Sequence, residues 1–261
     1  MSIWESILLG AVQGLTEFIP VSSSGHLVIF QQFLGITQES MTFDIFVHMG
    51  TFFAVLIAFR KDILNILSKP FSKLTYLIVV GCIPAGLAGF LLKPYLKQAF
   101  ESLMVVGLGL MLTGFLLVIS EYFSKRSFGL KTELETSYKD AVFIGVLQAI
   151  AIIPGISRSG ATISAGLLAG LEREFVARYS FLLSLPVILG AGLAEIKEVL
   201  AEGINQAMII PYIIGPITAF FTGLLAIKLV LDFIRKGRLT IFAYYCWAVS
   251  LLVLGKVFFY S

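Results

Sequence analysis

The sequence predicts an all-α polytopic membrane protein: one integral membrane domain over residues 1–261, built from six transmembrane helices and two re-entrant helix-loop-helix pairs in an inverted-topology repeat. Three observations predict it. The chain is 58% hydrophobic and only 13% charged, with a mean hydropathy of +0.95, too apolar for the mixed, charged surface of a soluble domain. Six apolar runs reach the roughly 17 to 25 residues that a helix needs to cross a bilayer. A polar motif broken by Gly and Pro occurs twice: Gly10, Gln13, Ser22, Ser24 and Gly25 recur as Gly145, Gln148, Ser157, Ser159 and Gly160, each 135 residues later.

The elements follow in order. Residues 3–36 are apolar but interrupted near the middle by Pro20, the serines 22–24 and Gly25, so each half is too short to span. Irregular backbone at membrane depth survives only where protein or a water-filled cavity satisfies its amides and carbonyls, which predicts a re-entrant pair. Spans follow at 42–59, 74–92 and 103–120, then a polar linker over 124–137. The second broken region, 141–171, is interrupted by Pro154, Gly155 and the Ser157–Gly160 run. Three further spans follow at 179–194, 209–231 and 240–258. Three spans lie between the two copies, an odd number, so the second copy enters from the opposite face. The repeats cover about 1–123 and 138–261, an architecture that places its site at the repeat interface.

Basic residues test the layout, because cytoplasmic loops collect Lys and Arg. Arg60, Lys61, Lys69, Lys73, Lys125, Arg126, Lys131, Lys139, Arg173, Arg178, Arg235, Lys236 and Arg238 fall on one side, and only Lys93, Lys97 and Lys197 on the other. This predicts termini and site mouth on the outer face. The net charge of +3 carries no nucleic-acid signal, and two cysteines in separate apolar runs, Cys82 and Cys246, offer no disulfide framework or CxxC metal site. No basic cluster precedes the first apolar stretch, which is expected to belong to the fold and not to a removable signal peptide.

Ionisable and polar residues inside membrane segments are functional hypotheses by default, and here they gather in the repeats. Gln13 and Glu17, four apart, share a helix face. Pro20 ends that helix and the serine run with Gly25 opens another, leaving backbone N–H groups of a helix N-terminus free to bind an anion. Ser157, Ser159, Gly160 and Thr162 repeat the arrangement, so two positive helix ends are expected to face one midplane cavity suited to phosphate. At the shared offset Ser23 corresponds to Arg158, whereas Glu17 and His26 correspond to Ile152 and Ala161. The site is chemically lopsided. Arg158 presents a planar fork to phosphate oxygens; His26 can share a face with Ser23 and move a proton; Glu17 can orient His26, act as a base or hold a divalent cation.

Each residue also has a plainer reading. Serine and glycine runs support close helix packing, Glu17 and Arg158 can form a structural ion pair, and Gln13 and Gln148 can brace the repeats. Asp44 and His48, at i and i+4, can rim the cavity but read more readily as supporting residues.

Gln13-x-x-x-Glu17 with Pro20-Val-Ser-Ser-Ser-Gly25-His26, and Pro154-Gly155-Ile-Ser157-Arg158-Ser159-Gly160-Ala-Thr162, resemble the paired motifs of the bacitracin-resistance family of undecaprenyl-diphosphatases, and the similarity covers essentially the whole chain. The resemblance implies a cytoplasmic (inner) membrane enzyme that hydrolyses undecaprenyl pyrophosphate to undecaprenyl phosphate and inorganic phosphate, recycling the lipid carrier of peptidoglycan and conferring bacitracin resistance. It assigns the proposed nucleophile to Ser23, the essential histidine to His26, the phosphate-binding arginine to Arg158, and the (Glu/Gln)-x-x-x-Glu motif to Gln13 and Glu17. Gln13, Ser22, Ser24, Gly25, Ser157, Ser159, Gly160 and Thr162 complete the expected substrate contacts. The family's divalent cation, Mg²⁺ or Ca²⁺, falls on Glu17 and Gln13, although Gln13 removes one carboxylate that many relatives carry. The expected partners are a polyprenyl pyrophosphate lipid and the membrane, and a homodimer is left open beside a monomer. Attack by Ser23 and attack by water activated at His26 and Glu17 are the two mechanistic alternatives. A lipid-phosphate flippase using the same anion site is the rival function, and an ion channel the weaker third.

Overall fold

In lipid, a backbone N–H or C=O without an internal partner costs several kcal/mol, roughly, so a chain this apolar closes its hydrogen bonds within helices. The computed structural model describes residues 1–36, 40–126, 131–202 and 206–260, and among them no extended strand occurs. The helices are α1 (Ile3–Phe18), α2 (Ser23–Leu34), α3 (Ser40–Ala58), α4 (Arg60–Ser68), α5 (Lys73–Glu101), α6 (Leu103–Ser124), α7 (Tyr138–Ile150), α8 (Arg158–Leu168), α9 (Arg173–Glu202), α10 (Ile209–Arg235) and α11 (Thr240–Tyr260), with a 3-10 turn at Gln206–Met208.

Five segments are long and apolar enough to cross a membrane: Lys73–Leu92, Leu103–Ser124, Arg173–Ala194, Gln206–Arg235 and Thr240–Phe259. A sixth is reached if Thr42–Ala58 is counted with Arg60–Ser68, which continues it after a bend of 77°. This agrees with the six expected positions, in a multi-pass membrane protein. Lipid-facing surfaces are apolar, as Phe90 and Phe259 on the outside of the bundle illustrate.

Helix ends depart from the apolar runs because caps, not hydropathy, set them. Ser72 accepts from Thr75 N and starts α5, and Ser102 accepts from Val105 N and starts α6. Residues 60–68, a charged loop by their composition, form α4, none of whose residues is buried. Its Ile63, Leu64, Ile66 and Leu67 follow the charged run Arg60–Lys61–Asp62 and are split by Asn65, a pattern too short to register as a span.

Each of the two broken regions forms a helix, a loop and a second helix. Capping boxes start both first helices, Ser2 with Glu5 in α1 and Ser137 with Asp140 in α7. α1 packs on α2 and α10, α7 on α8 and α5, while α6 lies against α11 and α3 against α10 and α9. Backbones meet closely at glycines: a Cβ on Gly10 would overlap the carbonyl oxygen of Gly215, and one on Gly145 that of Gly81. Small residues at such crossings let helices approach where no hydrophobic effect drives them together.

Ion pairs gather the basic loops at one end of the bundle. Arg178 joins Asp62 of α4 (2.8 Å) and Glu133 of the linker (3.3 Å), Arg173 grips Glu121 with both terminal nitrogens at 3.1 Å, and Arg235 meets Glu174 at 2.6 Å. An isolated bridge pairs Lys131 with Leu171, and Lys73 reaches the carbonyl of Leu134. Four loops assigned to one side by charge are thereby in mutual contact.

Substitution at the close crossings is expected to overpack them. Gly10→Val or Gly145→Val should destabilise by about 1–3 kcal/mol, read as a lower melting temperature in detergent. Gly86→Ala and Gly190→Ala, where an added Cβ meets nothing within 4 Å, should leave it unchanged or raise it.

Candidate active site

The site begins with two broken helices whose loops touch. In the first, Pro20 cannot continue α1, and Ser22 caps α2 by accepting from Gly25 N at 3.2 Å. In the second, Ser157 caps α8 by accepting from Gly160 N at 3.1 Å. A neighbouring serine hydroxyl flanks each cap, Ser24 at 3.3 Å from Ser22 and Ser159 at 3.2 Å from Ser157. Space between the loops is minimal, since a Cβ on Gly25 would lie 3.1 Å from Gly155 Cα, and one on Gly160 3.4 Å from Pro20 Cβ. Ser22 stands at φ 70°, the one non-glycine residue with positive φ among those described, a conformation that costs an L-residue roughly 1–2 kcal/mol.

Glu17, on the last turn of α1, is the hub. Arg158 Nη2 donates to its Oε1 at 2.7 Å, while Ser23 Oγ at 2.6 Å and Gln13 Nε2 at 3.0 Å donate to Oε2. His48 Nε2 lies 3.7 Å from the same oxygen. Arg158 in turn donates from Nη1 to the Ser180 carbonyl at 3.3 Å. Thus α1, α2, α3, α8 and α9 converge on one carboxylate, which is almost entirely buried. Thr162 shapes this wall, its hydroxyl 2.9 Å from Arg158 O and 2.6 Å from Ser180 Oγ.

Arg158 therefore meets Glu17 and Ser23 as expected, and Gln13 joins them. His26 departs from expectation. Its Nδ1 lies 2.8 Å from Ser22 O and its Nε2 2.8 Å from Tyr245 Oη, so Glu17 does not orient the imidazole. The reason is helical geometry: the His26 ring folds back on the carbonyl four residues earlier, and its other nitrogen is taken by α11. The side chains of Ser22 and Ser157 cap helix N–H groups.

Three contributors escaped the sequence. His48 carried a signal, an i, i+4 pair with Asp44 inside an apolar run, but was read as a supporting residue. Asp44 instead accepts from Gln31 at 2.6 Å, and His48, its Nδ1 on Asp44 O at 2.6 Å, reaches Glu17. Tyr245 and Ser180 gave no signal, since Tyr is common in membrane helices and Ser180 acts through its backbone.

The described residues contain no group of three or more His, Cys, Asp or Glu able to hold a metal ion. Gln13 Oε1, however, is buried with no hydrogen-bond partner, beside Glu17. One carboxylate and one free amide oxygen fit a hard cation that takes its remaining ligands from phosphate oxygens and water.

A hydroxyl, a buried carboxylate and a guanidinium thus meet where the N-termini of α2 and α8 come together, inside a multi-pass helical bundle. The chain belongs to the bacitracin resistance protein BacA family, whose model matches residues 6–252. It is 50% identical to an undecaprenyl-diphosphatase of Halothermothrix orenii over 256 residues, covering 97% of this chain and 98% of that protein. An undecaprenyl-diphosphatase of Carboxydothermus hydrogenoformans is 43% identical, with 97% of each chain covered. One of Korarchaeum cryptofilum is 41% identical, covering 98% of this chain and 99% of its own length.

The strained cap yields a prediction. Ser22→Gly relieves the left-handed backbone while losing the cap, and Ser22→Ala loses the cap and keeps the strain, so the glycine variant should be the more stable by about 1 kcal/mol. At Ser157, where φ is −72°, only the ordinary preference of an N-cap for glycine over alanine should remain, so the gap between the two variants should be smaller than at Ser22. Melting curves of the four variants decide it.

Proposed function

We propose that this protein hydrolyses undecaprenyl pyrophosphate to undecaprenyl phosphate and inorganic phosphate, an activity that recycles the lipid carrier for cell-wall synthesis and underlies bacitracin resistance. The names of its full-length relatives support this reading, and one observation carries it to named atoms: Ser23 Oγ donates to Glu17 Oε2 at 2.6 Å while Arg158 occupies the other carboxylate oxygen at 2.7 Å.

Substrate pyrophosphate competes with Glu17 for Arg158. The guanidinium turns its fork to the terminal phosphate, and the free backbone N–H groups at the starts of α2 and α8 complete the anion site, flanked by Ser24, Ser159, Gly25 and Gly160. Ser23 Oγ then attacks the terminal phosphorus in line, its proton passing to Glu17 Oε2. The bond from that phosphorus to the bridging oxygen breaks, and undecaprenyl phosphate leaves. Glu17, having given that proton up to water as undecaprenyl phosphate leaves, takes a proton from the water that attacks the phosphoserine and returns it to Ser23 Oγ as the phosphorus–serine bond breaks and inorganic phosphate departs. Mg²⁺ or Ca²⁺, held by Glu17 and the free oxygen of Gln13, would supply charge neutralisation at the phosphate oxygens. The hydrogen bond from Ser23 to Glu17 favours this route over direct attack by water.

The same reading extends to architecture. The constant offset between the motifs, the matched capping boxes and serine caps, and the equivalent glycine crossings of α1 on α10 and α7 on α5 support two repeats of inverted topology with re-entrant pairs meeting at the midplane. The concentration of Lys and Arg on one set of loops supports a cytoplasmic location for that end and an outward-facing mouth.

Purified protein in detergent, where no compartments exist to transport between, should release phosphate from a prenyl pyrophosphate; no release would favour a flippase. Ser23→Ala should lower turnover by roughly 10³-fold or more, and Arg158→Ala should lower kcat/KM by about 10²–10³-fold. Chelation should abolish release and added Mg²⁺ or Ca²⁺ restore it; activity indifferent to chelator would remove the cation from the scheme.

A further inference from the structure

His26 is 3% exposed and bonded at both ring nitrogens, and neither partner belongs to the Glu17 cluster. The Ser22 carbonyl can only accept, so Nδ1 carries the proton. In the neutral ring Nε2 is then an acceptor, and the Tyr245 hydroxyl 2.8 Å away supplies the donor. The two rings lie nearly parallel, 9° apart. Ser22 O also accepts from His26 N at 3.2 Å, so the imidazole and its own backbone clasp one carbonyl. That carbonyl belongs to the residue held at φ 70°, immediately before Ser23. The following residue on α11, Cys246, points its thiol at Pro20 O, 3.7 Å away. α11 therefore grips the first loop at both of its ends, and only Tyr245 does so with a strong donor.

We propose that Tyr245 is a positioning residue: by donating to His26 Nε2 it fixes the Nδ1–H tautomer, which holds Ser22 in its left-handed backbone and so aims Ser23 and the N-terminus of α2 at the phosphate. The inference rests on the phosphatase reading of the site, and it gives His26 a role in loop geometry in place of proton transfer. A strained backbone persists only where its surroundings over-determine it, and the tyrosine, imidazole and carbonyl chain is that determinant. Partners one step removed from a reacting group typically contribute 10- to 100-fold, roughly, when their hydrogen bond orients it.

Two measurements test the proposal. The chain contains two histidines, so ¹⁵N-histidine labelling of the full-length protein in detergent, with His48→Gln to assign the spectrum, reports the His26 tautomer directly. Wild type should show the Nδ1–H form and Tyr245→Phe a loss or mixture of it; an unchanged spectrum, or an Nε2–H wild type, would overturn the proposal whatever the protein's activity. In phosphate release, Tyr245→Phe should lower kcat about 10-fold or more with KM changed less. In a His26→Ala background the same substitution should add nothing, because its effect passes through the ring. An additive loss would mean mere packing. Tyr245→Met, which keeps bulk and lacks a donor, repeats both arms if the Phe variant folds poorly. Should wild type show the Nδ1–H form yet release no phosphate, the functional reading falls and the hydrogen-bond chain stands.

Discussion

A carboxylate and a guanidinium removed from water sustain each other only if every remaining donor and acceptor around them is satisfied, since desolvation costs several kcal/mol, roughly, per ion. Around the Glu17–Arg158 pair these partners come from α1, α2 and α9, and the buried Oε1 of Gln13 is left without one. Ser23 and Gln13 fill the carboxylate, and the Ser180 carbonyl receives the guanidinium. That requirement fixes much of the architecture. Arg158 stands 141 residues from Glu17 in sequence, so α8 must be held against the end of α1, and the close crossings at Gly10 and Gly145 let the helices carrying these residues reach their neighbours. Removing either partner would strand the other as an unpaired buried charge.

The same pair gives the site its responsiveness. A structural ion pair and a substrate clamp are usually separate readings of such a contact; under the proposed mechanism they become successive states of one arginine. Without phosphate, Arg158 keeps the carboxylate company; a pyrophosphate, carrying more charge and more acceptor oxygens, is the stronger partner for a planar fork. Glu17 then retains Gln13, Ser23 and the nearby His48. Binding at the anion site and release of the carboxylate thus become one event, and the ordering of Ser23 against Glu17 Oε2 survives it because that bond uses the other oxygen.

How much was legible in the sequence follows from which interactions leave a local trace. Spans did, because lipid forces long uninterrupted apolar runs, and five or six of them stand where the runs predicted. Broken helices did, because Pro20 and Pro154 with serine caps leave a pattern that no continuous helix tolerates. Glu17, Ser23 and Arg158 did, because polar side chains at membrane depth need a reason. α4 did not, since a short amphipathic helix bent by 77° from its neighbour resembles a charged loop. Nor did the direction of the His26 ring: spacing places it near Ser23, but the choice between that hydroxyl and the Ser22 carbonyl depends on a tyrosine 219 residues away. His48 was visible as a pair with Asp44, but its reach to Glu17 depends on how α3 packs against α1.

The two loops solve one problem with different residues, and the difference explains why the chemistry is one-sided. Each must turn sharply between two helices, which requires one residue in the left-handed region. The second loop places Gly155 there at φ 91°, at no steric cost. Thr113 of α6 steadies it, donating to Gly155 O at 3.1 Å and accepting from Ser157 N at 3.0 Å. A side chain on Gly155 would strike the backbone of Val106, so this loop is packed as well as relaxed. In the first loop the left-handed residue is Ser22, which resists the conformation and is held by His26 and α11. The relaxed loop carries Arg158, whose long side chain can move without any backbone change. The strained loop carries Ser23, whose short side chain has no such reach, so its aim must come from the backbone itself. An imidazole in the first copy, with alanine at the matching position of the second, is what that constraint requires.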